Sequence, residues 1–219
     1  MYHTEELLDL THTIAAELFK GKEYPWEALS GIKEFILALG PTLSKDEFDN
    51  PYEGVWIAKD ATVFPSAYIG APCIIDHGTE VRHCAFIRGS AIVGKNCVVG
   101  NSVELKNVVL FDNVQTPHYN YVGDSILGYK SHMGAGSITS NVKSDKTLVV
   151  VKNGDEHIET GLKKFGAILG DHVEVGCNSV LNPGCVLGRG VSVYPTSSVR
   201  GVVPAGCIYK CASEITPRK

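Results

Sequence analysis

Three kinds of segment are missing from this chain, and each absence removes a class of protein. No apolar stretch approaches the roughly 18 residues of a membrane-spanning helix. No apolar run of signal-peptide type opens the sequence, so neither spanning nor export is expected. Positive charge is not in surplus. Lys and Arg total 20 against 24 Asp and Glu, and the net charge of -4 argues against nucleic acid as a main partner. The seven cysteines include no CxxC pair, so the common zinc and redox spacings are lacking. Cys73 and Cys97 fall where a compact hydrophobe is wanted. A reduced, cytoplasmic chain of one or two domains is the expectation.

What the sequence has instead is a period of six. Every sixth residue reads Ile57, Val63, Ile69, Ile75, Val81, Ile87, Val93, Val99 and Leu105, with no polar interruption. Four residues after each comes a column of mostly small side chains: Ala61, Ala67, Cys73, Thr79, Ala85, Ala91, Cys97 and Val103. Six is neither the period of a helix nor that of a strand. It is the hexapeptide repeat of a parallel β-helix, in which each short strand turns one large apolar residue inward and three strands make a coil. A mainly β fold follows, and the period alone leaves its hand open.

Residues 1–50 lack this period. Glu5 to Phe19 and Trp26 to Leu39 have helical spacing, separated by Gly21 and Pro25 and ended by Gly40-Pro41. A short helical cap is expected there, packed on the end of the solenoid or on a neighbouring subunit. The β-helix is expected over 51–210 and a tail over 211–219. Gly70, Gly94 and Gly100 fall at corners where positive φ is expected. The register slips near Phe111 and resumes through Val122-Gly123-Asp124 and Met133-Gly134. Residues 142–165 are charged and off-period. Thr147 to Val151, Asn153-Gly154 and Glu156 to Glu159 read there as a projecting hairpin with a type I′ turn. The period then returns from Leu169 to Val199, with Ser179, Cys185 and Ser197 in the small-residue column.

Arg88 and Lys106 each follow an inward residue and stand one eighteen-residue coil apart, so they are expected to stack about 4.8 Å from each other. Two such cations either hold a phosphoryl group or form a solvated corner with Glu104 in compensation. His118 lies in the off-register stretch Thr116 to Tyr121, where an imidazole is a candidate general base. Gly134-Ala135-Gly136 either brings backbone N–H groups to a ligand or makes a tight corner. His77 and His83 occupy equivalent positions of adjacent strands, which face different sides of the prism, so a shared metal is not expected.

The runs Gly100 to Lys106, Thr116 to Asp124 and Met133 to Asn141 together resemble the acetyltransferase domain of the bifunctional N-acetylglucosamine-1-phosphate uridyltransferase/glucosamine-1-phosphate acetyltransferase family. Glu159 to Asp171 is similar to the C-terminal β-helix of related sugar-phosphate nucleotidyltransferases. The resemblance implies a left-handed β-helix that assembles as a homotrimer, with sites between subunits. It implies His118 as catalytic base, Arg88, Lys106 and Tyr121 on the sugar phosphate, and Asn141 near the reacting amine. Ala135 would face the developing oxyanion. Acetyl-CoA would run along the later coils past Cys177 to Ser197, with Lys210 or Arg218 toward its phosphates. His132 and Val142 depart from the family pattern, and residues 1–50 offer no Gly-rich nucleotide loop, so no pyrophosphorylase activity is expected.

The reading is an acetyl-CoA-dependent N-acetyltransferase acting on an amino-sugar phosphate such as glucosamine 1-phosphate. Its rivals are a non-catalytic hexapeptide-repeat binding module and a zinc enzyme like the γ-class carbonic anhydrases.

Overall fold

A computed structural model describes residues 1–218; Lys219, the last residue of the expected tail, lies outside the described residues. The six-residue period becomes a parallel β-helix with three faces. The first face stacks Val55–Ala58, Cys73–Ile75, Ala91–Val93, residues 108–110 and 125–127, Ala167–Leu169, Cys185–Leu187 and Val202–Val203. The second runs from Thr62–Val63 through Glu80–Val81, Val98–Asn101, Gln115–His118, His132–Met133, Glu174–Val175 and Ser192–Val193 to Cys207–Cys211. The third carries Tyr68–Ile69, Phe86–Ile87, residues 104–106 and 121–123, Ile138–Thr139, Val180–Leu181 and Ser198–Val199. Among the described residues no helix is long and apolar enough to cross a membrane.

The inward columns are the ones the period marks. Ile75, Val81, Ile87, Val93, Val99 and Leu105 are fully buried, as are Cys73, Thr79 and Ala91 between them. Strand pairing advances by one eighteen-residue coil, Val55 opposite Cys73 and Cys73 opposite Ala91. Contractions interrupt it: the step falls to 17 residues from Ala91 to Val108 and from Val108 to Ser125, and to 16 from Val186 to Val202. Leu105 pairs with Ile87, yet Val108 already pairs with Ala91, so the register slips at Asn107 rather than near Phe111. Asn107 takes φ +54, a left-handed conformation that asparagine tolerates.

The expected corner glycines are needed for a different reason. Gly70, Gly94 and Gly100 do not have positive φ; that conformation falls on Ser90, Asn96, Ser102 and similar residues. A Cβ on Gly94 would sit 2.7 Å from Asp112 Oδ1, and one on Gly100 would overlap the Pro117 carbonyl. The next coil passes too close for any side chain.

Residues 1–43 do not form two helices capping an end. They make short turns, of which Thr4–Leu7 and Ile32–Leu39 are α-helical, laid along the first face as a strap. Tyr2 meets the last coils by accepting from the Ala205 N–H, and Gly40 lies against Trp56 in the first coil. The strap answers a second apolar column on that face, pointing outward: Ile74, Ile92, Val109, Ile126, Ile168 and Val186, all fully buried. Phe19 packs edge-on against Phe111, Trp26 against Phe165, and the His12 ring stacks on Tyr129 at 3.6 Å. The carbonyls of Leu7 and His12 accept from Asp171 and Asp112 at the coil corners, both at 2.9 Å. A continuous helix would spend those carbonyls internally. Antiparallel strands cover the open edges instead, Phe48–Tyr52 on Val55–Ala58 and Glu214–Pro217 on Cys207–Cys211, so most of the expected tail is strand.

The insertion forms its hairpin from Val150–Asn153 and Glu156–Glu159. Asn153 pairs with Glu156, so Gly154-Asp155 makes the turn, with positive φ only at Gly154, the type II′ pattern rather than I′. The hairpin does not project freely. Val149 and Val151 are fully buried, and the Met1 ammonium pairs with Glu156 at 2.7 Å.

Two outcomes follow. Ile92→Ala should lower unfolding stability by about 2–5 kcal/mol in denaturant melts, because both sides of that strand are filled. Burial pushes the thiol of Cys185 up to about 12 and those of Cys73 and Cys97 higher still. Ellman titration of the native protein should therefore reach only Cys84, Cys177, Cys207 and Cys211, and all seven cysteines after unfolding.

Candidate active site

The corner between the second and third faces stacks Asn101, His118, Ala135 and Cys177 on successive coils. His118 is level with Asn101, the Gly136 N–H donates to the His118 carbonyl at 3.0 Å, and the Asn178 N–H donates to Ala135 at 2.8 Å. Each step along this column is about 4.8 Å. The His118 imidazole is exposed, while its main chain is tied down: its N–H donates to Asn120 Oδ1 at 3.2 Å. Asn120, only 2% exposed, reaches the next coil and donates from Nδ2 to the Gly134 and Ser137 carbonyls at 2.8 and 3.1 Å. It staples the histidine turn to the Gly-Ala-Gly corner, a role the sequence reading did not assign. Ala135 is half-buried, and its N–H has no acceptor among the described residues. An unpaired donor beside an exposed imidazole is what acyl transfer requires of a site.

Asp124 organises the far edge of the third face. The contraction at Asn107 brings Lys106 opposite Gly123, so both Lys106 and Asn107 reach the carboxylate of Asp124. Lys106 Nζ lies 2.9 Å from Asp124 Oδ1, Asn107 Nδ2 donates to the same oxygen at 3.0 Å, and Asn141 Nδ2 donates to Oδ2 at 2.5 Å. Asn141 also donates to Tyr121 Oη at 3.2 Å, so Lys106, Tyr121 and Asn141 form one network. Burial raises the Tyr121 pKa, and the nearby Asp124 and Glu104 charges raise it further. The phenol stays neutral and keeps its proton to donate. Sequence reasoning missed Asp124, whose signal was its place eighteen residues after Lys106.

Arg88 joins through Glu104, 2.8 Å away. The hydrogen bond to Glu104 and its charge raise the guanidinium pKa still further. Both side chains are well exposed, so this pair contributes little and can be exchanged for another anion. The Lys106–Asp124 pair is held more firmly, with the carboxylate 5% exposed. Arg88 is thus a movable arm beside a fixed ammonium.

The remaining expected residues divide. Cys177 is exposed in the His118 column. Ser197 is not on this surface. It is 8% exposed in the inward column, where its hydroxyl donates to the Tyr194 carbonyl at 2.7 Å and its N–H to Ser179 Oγ at 3.2 Å. Its hydroxyl is thus turned into the core, away from the corner that carries His118 and Cys177. Lys210 is ion-paired with Glu214, and Arg218 donates to Ser192 at 3.4 Å. His77 pairs with Asp60 at 2.9 Å and His83 with Ser66 at 3.0 Å, at opposite ends of one strand. Among the described residues no three His, Cys, Asp or Glu side chains form a group that would hold a metal ion. His132 bonds Glu174 at 2.8 Å on the second face, and Val142 is exposed where the insertion leaves the coils.

Known proteins are similar in sequence over much of this length. The bifunctional sugar-1-phosphate nucleotidylyltransferase/acetyltransferase of Sulfurisphaera tokodaii is 33% identical over 156 residues, 71% of this chain and 39% of that protein. The bifunctional protein GlmU of Methanococcus maripaludis is 35% identical over 167 residues, 75% of this chain and 40% of that protein. The chain thus spans about two fifths of the length of these relatives. Among solved structures, the Bacillus cereus N-acyltransferase AntD, in complex with dTDP and coenzyme A, is 18% identical. It aligns with TM-score 0.32 over 79% of this chain and 91% of its own. The model of the GMPPB C-terminal domain matches residues 69–208, more than half of the sequence. By that match, and by the coils that bear it, the chain belongs to the family of the GMPPB C-terminal domain.

Proposed function

We propose that the chain transfers an acetyl group from acetyl-CoA to the amine of an amino-sugar phosphate, glucosamine 1-phosphate being the first acceptor to try. We propose further that it works as a cytoplasmic homotrimer of left-handed coils. The observation that carries the reading is the column of His118, Ala135 and Cys177 flanking the face that bears Tyr121. Relatives named as acetyltransferases support it.

Acetyl-CoA would supply an activated acyl carbonyl along the corner at Ala135 and Cys177. The chain's own residues then divide the work. Arg88 and Lys106 hold the phosphate, Arg88 leaving Glu104 to do so, and the neutral Tyr121 phenol donates a further hydrogen bond. Asn141, fixed by Asp124, orients the amine. His118 accepts the amine proton as the new C–N bond forms and returns it to the departing sulfur. The free Ala135 N–H meets the negative charge that develops on the carbonyl oxygen.

Release of CoA, followed with a thiol reagent, tests the reading. Turnover should require the acceptor's phosphate, so glucosamine should be a poor acceptor beside glucosamine 1-phosphate. His118→Ala should lower kcat by roughly 10²–10⁴-fold in a protein that remains folded. No turnover with any amino sugar, or full turnover in the variant, would refute it. Asp124→Asn should cost about 1–3 kcal/mol of stability by leaving Lys106 without its counter-charge. It should raise the acceptor KM more than it lowers kcat, because asparagine tolerates the φ of +47 at residue 124 while the network loses its centre.

A further inference from the structure

One more cleft has charged walls and no part in the site described above. It encloses about 490 Å³ where the inserted hairpin meets the corner between the third and first faces. Ser140, Lys143, Asp145, Lys152, Asn182 and Arg200 lie on its wall. Lys143 and Asp145 neutralise each other at 3.4 Å. Lys152 and Arg200 have no carboxylate within ion-pair distance among the described residues. Other cations unpaired among the described residues, such as Lys59 and Arg218, lie outside this cleft; Lys152 and Arg200 share it.

The backbone keeps these two cations adjacent. The Lys152 carbonyl lies 2.7 Å from where a Cβ on Gly201 would begin, so the hairpin strand presses on the residue next to Arg200. The hairpin cannot swing away cheaply. Val149 and Val151 at its root are fully buried, and the Gly184 N–H donates to the Gly166 carbonyl at 2.9 Å beneath it. An ammonium and a guanidinium lining one cleft, whose one carboxylate is already taken by Lys143, are held together more readily by an anion between them. Together they suit phosphoryl oxygens, the ammonium as a point charge and the guanidinium as a fork.

We propose that this cleft is a second anion site, taking the phosphate or diphosphate of a small molecule separately from the Arg88–Lys106 pair. It begins at Ser140, two coils or about 10 Å beyond Lys106 along the same corner, so one extended ligand would reach both. The diphosphate of a nucleotide and the phosphates of CoA share the required chemistry. The inference stands on the cleft and does not rest on the acyl-transfer reading.

Isothermal titration with inorganic pyrophosphate at about 0.15 M salt tests it, where loose surface attraction is screened. Arg88→Ser serves as the background so that the first site does not contribute. That protein should bind pyrophosphate, and adding Lys152→Ser and Arg200→Ser should weaken binding at least about tenfold with an unchanged circular dichroism spectrum. Displacement of pyrophosphate by UDP or by CoA then identifies which phosphate source uses the cleft. Absence of binding to Arg88→Ser, or equal binding after the two further substitutions, would overturn the proposal.

Discussion

Everything in this molecule depends on the hydrogen bonding of one coil upon the next. That ladder fixes a rise of about 4.8 Å per turn, and it converts separation along the chain into proximity in space. Residues 17, 18 or 42 positions apart become neighbours, as His118 with Asn101, Val55 with Cys73 and Ile126 with Ile168. The inward columns of β-branched and small side chains keep the ladder in step. A polar outward residue therefore acquires its partners from registry alone, with no need for a long loop to bring it in.

The contraction at Asn107 shows how such a frame is adapted to a site. Removing one residue there sets Gly123 opposite Lys106 and Asp124 beside Asn107, and the carboxylate meets Lys106, Asn107 and Asn141. The second and third faces are left free for ligands because the strap occupies the first. Its turns cover an apolar column that would otherwise be exposed along the whole solenoid, so the segment shields a flank and also joins the first coils to the last.

The inward half of this design is legible in the sequence. Ile57 to Leu105 mark the core, Cys73 and Cys97 declare themselves as packing residues, and the hairpin is announced by its β-branched run and Asn-Gly. The outward half is harder. Ile74, Ile92 and Val109 are ordinary apolar residues whose common direction emerges only when coils are stacked. The strap that covers them then reads as two helices, because its apolar residues also fit a helical spacing. The contraction is concealed because counting by six from Leu105 lands on Phe111, which is still apolar and fully buried. Arg88, Lys106, Tyr121 and His118 were legible as candidates. Asp124 and Asn120 were not, since a buried polar residue is recognised by its partners and those lie on other coils. Ser197 shows the reverse: the period places it inward, and its hydroxyl faces the core.

The most direct test of the account is a crystal structure of the chain with CoA and glucosamine 1-phosphate bound. The account predicts the CoA sulfur at the corner formed by His118, Ala135 and Cys177, and the sugar amine between His118 and Asn141. It also predicts the phosphate on Arg88 and Lys106, with Glu104 displaced. A CoA bound away from that corner, or a phosphate that leaves the Arg88–Glu104 pair intact, would contradict it.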